Sequence, residues 1–522
     1  MHIPPGGPPS HRHGCKEPLP ALEGEAGAAS SGSAAPELPE GQGEGPSTRL
    51  PERLATEDVR SSMMRVIIAW GFGAAFMSLS SGAVYTAFAR SIGASNTIFG
   101  VLAGAMPLMS VLQVLAAWTL ERHRRRKRQF LIAGLIGRGV WLLVPLLPLA
   151  RKYLPALVPG SVVLPGVAAL ILISAIGQAF VSPAFFSWMT DLAHSRVRST
   201  FFARRMQVGT LAGMLVSIAG GLIADNFAHL EIYCAVLFLA ACLGLGDILM
   251  FLGVRDPRHL EPRPPEVDAA LDELARAVPS PLAAIREPLR EAPVRRFLLF
   301  VCLLFAGYGL YGPFLWLHSF EYLHLSKTQT GLIVNAAPML AIAMTSRFWG
   351  RLTQRYGNRP VMRLGSMGLM LVPLGMLLMQ PDPDLISKIL FGALFFASGI
   401  LAVAVDLANV NMMTNLCPQV PRSTMTALYS IAGGCSFALC SAGAGKLSDA
   451  LSDWEAQLGP LHFENYHVLF VLSLAVRVLN ALAVAPRLQE PGSGSARRMA
   501  FEMVPQIWSN FAGRLPRPFA RD

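Results

Sequence analysis

Long blocks of apolar residues, separated by short polar and charged stretches, dominate this chain of 522 residues. A helix needs roughly 20 apolar residues to cross the ~30 Å hydrocarbon core of a bilayer. Proline and glycine recur inside the blocks, as membrane-spanning helices tolerate. The pattern predicts an all-α integral membrane protein with twelve spans, at 63–89, 98–118, 130–150, 162–188, 206–224, 230–252, 296–320, 329–348, 361–379, 386–411, 424–446 and 467–486.

The composition agrees with this pattern. Apolar types make up 52% of the residues and charged types 15%, whereas a soluble domain carries about 25% charged residues. These values exclude a disordered chain, a coiled coil and a collagen-like fibre. A soluble enzyme of several domains is excluded by the arrangement of the apolar residues in long blocks. The seven cysteines are scattered and form no CxxC pair, so we interpret them as small buried side chains.

The basic residues predict an orientation. The net charge is +11, and the Lys and Arg residues lie between the apolar blocks. With the N-terminus in the cytoplasm, the great majority of the membrane-proximal basic residues fall on the cytoplasmic side, including the run Arg122–Arg128. We therefore expect both termini to be cytoplasmic in the plasma (inner) membrane. We further expect a monomer that contacts membrane lipids and no nucleic acid.

An internal repeat divides the chain into two similar parts. The stretch 189–192 (MTDL) matches 413–416 (MTNL) at an offset of 224, which also pairs Asp225 with Asp449. Further upstream an offset of 231 pairs Thr97 with Thr328. Two six-helix halves in the same orientation follow, and parallel repeats of this kind are a transporter architecture with the site near the midplane.

The predicted organisation has five parts. They are a disordered cytoplasmic tail (1–62), an N-terminal six-helix bundle (63–253), a cytoplasmic central loop (254–295), a C-terminal six-helix bundle (296–486) and a cytoplasmic C-terminal tail (487–522). Apolar residues of the C-terminal tail share one helical face, which suggests an interfacial helix. Pro505 opposes that helix, so a disordered tail is the alternative.

One loop carries the motif of a family. After the eighth block the chain reads Gly350-Arg-Leu-Thr-Gln354-Arg355-Tyr-Gly357-Asn-Arg359. This resembles the G-x-x-x-D-R-x-G-x-R/K loop of the major facilitator superfamily. The stretch 117–126, after the second block, resembles the same loop less completely. The resemblance covers about 63–486, because span number, repeat, loop and central linker agree. It implies twelve helices in two pseudo-symmetric halves and a secondary transporter of small molecules.

The charged loops between spans are candidate gating elements. Glycine suits a tight turn with positive φ, and a carboxylate at Glu121 would bind arginines or a helix N-terminus in one gating state only. The alternatives are a solvated basic loop that sets topology, which we expect for 124–128, and a structural ion-pair cluster around Asp191. The candidate gating residues are Glu121, Arg122, Asp191, Arg198, Gly350, Gln354, Arg355, Gly357, Arg359 and Arg422.

Four charged residues lie inside predicted spans, where charge is costly and often functional. The resemblance makes the third and sixth helices neighbours, so Arg138 and Asp247 are expected to form a structural pair. The alternatives for Arg138 are contact with a substrate anion and snorkelling. Arg477 has no obvious partner, and Asp406 is nearest to it in depth. Three roles are open for Asp406: a proton carrier, a structural cap or ion-pair partner, and an exposed group at a helix end.

The resemblance also implies that helices 1, 4, 7 and 10 line a central cavity. Their midplane residues are uncharged, which suggests a neutral or amphipathic organic substrate. For each of them taken alone, packing is the alternative to ligand contact. The candidate cavity residues are Phe76, Ser78, Ser81, Ser174, Gln178, Tyr308, Tyr311 and Ser398.

Three classes of function compete. The first is a secondary active, alternating-access transporter of a small organic solute, with H+ as the candidate coupling ion. The second is a transport-inactive membrane sensor, scaffold or assembly factor on the same fold. The third is a pump or membrane enzyme, which we do not expect: 443–447 superficially resembles a phosphate loop, but Leu447 stands where that loop has Ser or Thr. No catalytic residue, metal ligand or cofactor site is expected.

Overall fold

The computed structural model describes residues 49–123, 125–193, 195–256, 286, 288–416, 422–490, 494 and 499. Among these residues, twelve helices are long and apolar enough to cross a membrane, which confirms the predicted fold class. The first half contains α1 Val59–Ser91, α2 Asn96–Leu120, α3 Arg126–Tyr153, α4 Gly160–Met189, α5 Thr200–Asn226 and α6 Leu230–Gly253. The second half contains α7 Ala292–Glu321, α8 Lys327–Tyr356, α9 Asn358–Leu378, α10 Leu385–Met413, α11 Thr424–Ala450 and α12 Asn465–Arg487.

Several spans consist of two helical pieces. The first is divided at Gly82, between Arg49–Ser81 and Ala83–Ser91. The seventh is divided at 312–313, between Ala292–Tyr311 and Phe314–Glu321. Gly82 and Pro313 are related by the repeat offset of 231, so the two breaks are equivalent. The other pieces are Asn96–Met109 and Gln113–His123, Arg126–Gly139 and Leu143–Tyr153, Asn358–Gly368 and Leu371–Leu378, with π-helical turns at Gly331–Ala336 and Asn480–Val484.

The first helix begins earlier than the sequence predicted. The helix that contains the first part of the α1 span starts at Arg49, before the span itself, so 49–62 of the predicted tail is helical. Leu, Arg, Glu and Ala, all strong helix formers, are frequent there, whereas hydropathy marks only the point at which a helix enters the bilayer. The predicted C-terminal interfacial helix and most of the central loop lie outside the described residues.

The two faces of the bundle differ in which ends of the helices lie there. The terminal face is the one at which α1 begins and α12 ends, and the distal face is the opposite one. At the distal face a short hairpin of β1 (Glu455–Leu458) and β2 (Leu461–Glu464) joins α11 to α12. It is docked by Tyr322, whose hydroxyl donates to the His462 carbonyl at 2.5 Å. Burial raises the pKa of Tyr322 to about 12, so this donor keeps its proton.

Small residues hold the two halves together between α2 and α11. A Cβ added to Gly104 would lie 3.0 Å from the Ala438 Cα, and one added to Gly100 would lie 2.3 Å from the Ser441 carbonyl oxygen. A Cβ at Gly445 would lie 2.3 Å from the Asn96 carbonyl oxygen. Backbones of membrane helices approach this closely only where side chains are absent or small, so glycine makes this distal contact possible.

Candidate functional site

A cavity of about 320 Å³ lies between the two halves. Helices α1 and α5 of the first half and α7 and α8 of the second supply its walls, and the predicted cavity residues Ser78 and Ser81 are among them. Asn335 of α8 donates from Nδ2 to the Ser217 hydroxyl of α5 across the halves, at 3.0 Å. The cavity is therefore shared by both halves, and relative movement of the halves would change its shape.

A second cavity of about 430 Å³ is enclosed by all six helices of the first half. It adjoins the first at Trp70 and Met77, which line both. Three charged side chains line it, from α3, α5 and α6: Arg138, Arg205 and Asp247.

The expected pair of Arg138 and Asp247 is present, with Nη2 of the arginine 3.6 Å from Oδ2 of the carboxylate. The Arg138 guanidinium lies 4.1 Å from the centre of the Phe76 ring. A Cβ added to Gly73 of α1 would lie 2.5 Å from the Asp247 Oδ2, so this glycine provides the space for the carboxylate. Phe76 therefore supports the charge pair.

Arg205 is the site residue that sequence reasoning misplaced. The predicted span at 206–224 leaves Arg205 in the preceding loop, but the helix runs over Ser195–Asn226 and carries Arg205 into the cavity. Its guanidinium lies 3.9 Å from the ring centre of Trp70 and 4.4 Å from that of Phe185. Gly209, one turn later, is the sequence signal for this position. Its missing side chain leaves room for the same tryptophan.

The other predicted cavity residues divide between the two halves. Gln178 lines the second cavity. Ser174 accepts from Trp141 Nε1 at 2.9 Å and donates to the Gly137 carbonyl at 2.6 Å, so its role is to fix neighbouring helices. In the second half, Ser398 donates to the Phe395 carbonyl at 2.6 Å.

Arg477 and Asp406 do not pair with each other in the described part of the chain. The Arg477 guanidinium lies over Tyr308 and Tyr311, at 4.4 and 5.1 Å from their ring centres. Its Nε donates to the Ser473 hydroxyl at 3.4 Å. The side chain of Asp406 is exposed. The stacking of Arg477 on aromatic rings offsets the cost of its burial. The two predicted cavity tyrosines are thus in contact with this arginine.

An ion pair joins the halves at the distal face. Arg90, at the end of α1, donates from Nε to Glu321 Oε1 at the end of α7, at 2.7 Å. The same guanidinium bonds Asn96, and the Tyr466 hydroxyl bonds Glu321. Arg90 and Glu321 are related by the repeat offset of 231, so the pair joins equivalent positions of the two halves.

Two equivalent contacts, here called the distal latches, flank this ion pair. Asp225, at the end of α5, accepts from the backbone N–H groups of Lys327 (2.7 Å) and Thr328 (2.9 Å), which open α8. Asp449, at the end of α11, accepts from the corresponding groups of Asn96 (2.9 Å) and Thr97 (2.7 Å), which open α2. Each carboxylate of one half thus caps a helix N-terminus of the other, where the helix dipole favours negative charge.

The described residues form hydrogen bonds between the halves in part of the interface. Among the described residues they lie at the distal face and near mid-depth, where the Ser110 hydroxyl donates to the Ser430 carbonyl at 3.0 Å. The described residues thus show a bundle that is closed at the distal face by polar contacts between halves.

The comparisons with known proteins agree with this architecture. A family model of the Major Facilitator Superfamily matches residues 66–322 and 297–514. The chain belongs to the major facilitator superfamily. It is therefore a multi-pass membrane protein of a transporter family.

Solved structures share the fold at low sequence identity. The nucleoside transporter NupG is 14% identical, with a TM-score of 0.61 over 82% of this chain and 99% of that one. A D-xylose–proton symporter is 13% identical, with a TM-score of 0.58 over 83% and 99%. A bacterial homologue of the human lysosomal transporter Spinster, in an inward-facing and unoccupied conformation, is 14% identical, with a TM-score of 0.56 over 83% and 99%. No curated protein matches the chain in sequence.

The superfamily loop of the second half lies at the terminal face. Gly357 joins α8 to α9 with φ of 86°, a conformation that favours glycine, whereas Gly350 faces open space. Glu490, just after α12, caps α9: it accepts from the N–H groups of Asn358 and Arg359 at 2.7 and 2.8 Å. Gln354 and Arg355 are exposed, and Arg355 lies over the Tyr356 ring.

The superfamily loop of the first half contains a buried charge in the stretch expected to be a solvated basic loop. Arg126, in the stretch predicted to set topology only, is 1% exposed and pairs with Asp191 and with Asp256 just after α6. Arg122 lies 5.2 Å from the centre of the Trp118 ring. A run of basic residues does not reveal which member faces the bundle. The side chains of Glu121, Arg198 and Arg422 are outside what the structure describes.

Proposed function

We propose that this superfamily member is a secondary active transporter that moves a small amphipathic organic solute by alternating access. The observation that carries the proposal is the cavity shared by both halves, together with the equivalent distal latches that close one face. Contacts of this kind, built from groups that water also solvates, are suited to forming in one state and separating in another. The cavity walls combine aromatic and methionine side chains with serine and asparagine, which favours an amphipathic solute.

Reconstitution tests this proposal. Purified protein in proteoliposomes is to be screened with labelled organic solutes, with and without an imposed proton gradient. We expect saturable uptake of at least one solute, and counterflow of the same solute without a gradient. Absence of both, in protein that binds a solute and stays folded, would favour the alternative of a transport-inactive sensor, scaffold or assembly factor.

The proposed orientation places the terminal face in the cytoplasm of the plasma (inner) membrane, with the protein a monomer among lipids. In a Cys-free background, single cysteines at Ala270 and Asn510 are expected to react with an impermeant maleimide only after the cells are permeabilised. The physical reason is the excess of Lys and Arg on that side. Labelling of position 270 in intact cells would contradict the orientation.

Proton coupling, where it operates, is proposed to use Asp406 of α10. The exposed carboxylate forms no ion pair with a described residue, so protonation there breaks no bridge. Asp406→Asn is expected to abolish accumulation against a gradient and to retain counterflow. Asp453→Asn, at an exposed distal position, is the matched control. Full accumulation by the Asp406 variant would exclude this residue as the proton site.

A further inference from the structure

The cavity within the first half carries more positive than negative charge. Arg138 and Arg205 line it, and Asp247 is the single acidic residue among its wall residues. Arg138 and Asp247 are each 5% exposed, and Arg205 is partly buried. A buried charge without a partner costs several kcal/mol by order of magnitude. The wall residues therefore leave one positive charge that a bound anion would neutralise.

Three buried N–H donors of this cavity have no hydrogen-bond partner among the described residues. Buried nitrogen atoms without a hydrogen-bond partner include Nε of Arg138, Nε of Arg205 and Nε2 of Gln178. All three are N–H donors, and all three residues line the cavity. The 3.6 Å contact between Arg138 and Asp247 is too long for a hydrogen bond. Buried donors of folded proteins are normally satisfied, and these lack an acceptor.

The arginines are held against aromatic side chains. The Arg138 guanidinium lies over the Phe76 ring, and that of Arg205 lies over the rings of Trp70 and Phe185. Stacking fixes the plane of a guanidinium but uses none of its N–H groups. The free edge of a fixed guanidinium matches the two oxygens of a carboxylate.

Most of the rest of the wall is apolar, and Ser110, Gln113 and Ser182 are the other polar residues in it. Phe130, Phe185, Met77 and Met106 line the same cavity, and its volume of about 430 Å³ is within the usual range for a small organic ligand. A small inorganic anion would leave this apolar surface uncovered, whereas an organic acid would fill it.

We propose that this cavity is the substrate site, and that it binds the carboxylate of an amphipathic organic monoacid. Arg205 and Arg138 hold the carboxylate with the Gln178 amide, and the apolar part of the acid lies against Trp70, Phe130 and Phe185. The proposal rests on the proposed transport function and narrows its substrate class from amphipathic solutes to amphipathic anions. Because Trp70 and Met77 also line the cavity between the halves, a bound acid would contact the moving interface.

Binding to the full-length protein in nanodiscs tests this site without requiring transport. Isothermal titration is to compare octanoate and 4-phenylbutyrate with their neutral amides, with the corresponding amines and with acetate. We expect at least one of the two acids to bind at least about tenfold more tightly than its amide, and acetate to bind more weakly than both acids. Equal binding of acid and amide, tighter binding of an amine, or no binding of either acid would overturn the proposal.

Two variants assign the binding to the cavity. Arg205→Gln is expected to weaken acid binding at least about tenfold and to leave amide binding unchanged. Arg204→Gln is the matched control, since Arg204 is the exposed neighbour on the same helix and lies outside the cavity wall. Arg138→Gln/Asp247→Asn removes the pair as a whole, which avoids leaving one buried charge alone. We expect it to weaken acid binding too, and acid binding that survives both variants would place the site elsewhere.

The outcome is separable from that of the proposed function. Selective acid binding that depends on Arg205, in protein that transports nothing, would support the site and refute transport. Transport of a solute by protein that shows no preference for acids would support the proposed function and refute the anion site.

Discussion

Gly445→Leu is expected to reduce transport by roughly 10- to 100-fold, while Gly443→Leu leaves it near the wild-type rate. A Cβ at Gly445 would lie 2.3 Å from the Asn96 carbonyl oxygen and 2.8 Å from the Thr97 Cα, so backbone of α2 would have to move away. A Cβ at Gly443 meets nothing within 4 Å. The two substitutions add the same side chain to the same helix, and they differ in whether it faces the other half.

The measurement combines transport with access to the interface. Ser441 of α11 is buried against the Gly100 carbonyl, to which it donates at 2.7 Å. In a Cys-free background, Ser441→Cys should react with an impermeant maleimide from the distal side faster in the Gly445 variant than in the Gly443 variant. Melting temperatures should remain similar, because contacts within each half are unchanged. Equal transport by the two variants would show that the distal contact does not have to form during the cycle.

The twelve spans were predictable because each requires many apolar residues in a row, a signal that averages over local exceptions. Helix ends carry no such signal. The first helix begins at Arg49 and the fifth at Ser195, in both cases well before the point where hydropathy rises. This shift moved Arg205 from a predicted loop into the cavity of the proposed anion site.

The site itself was harder to predict, for a geometrical reason. The repeat shows that Asp225 and Asp449 are equivalent, and that Thr97 and Thr328 are equivalent. It does not show that each carboxylate meets the helix start of the other half, since equivalence says nothing about which helices adjoin. Charge pairing within a half, as between Arg138 and Asp247, could be inferred once the superfamily resemblance made α3 and α6 neighbours. The position of Arg205 beside that pair, which leaves one positive charge in excess, could be seen only from the fold.

Removal of both latch carboxylates is expected to open the distal face. Each aspartate of the distal latches accepts two backbone N–H groups, and Asp225 also accepts from the Thr328 hydroxyl at 2.6 Å. Loss of one such cap, with its favourable helix dipole, costs roughly 1–2 kcal/mol. In the proposed alternating-access cycle these contacts form only while the distal face is closed, so their loss is expected to destabilise that state relative to the open one.

For Asp225→Ala/Asp449→Ala the total is therefore roughly 2–4 kcal/mol, a change of roughly 30- to 1,000-fold in the ratio of closed to open states. The labelling rate of Ser441→Cys from the distal side should rise accordingly, and Asp453→Ala, at an exposed position on the same face, should leave it unchanged. Because the latches share no residue, their effects should add as free energies. Each single variant should thus raise the labelling rate by about the square root of the effect of the double variant. A single variant as effective as the double would show that one latch alone holds the distal face closed, and the equivalence of the two halves in gating would be wrong.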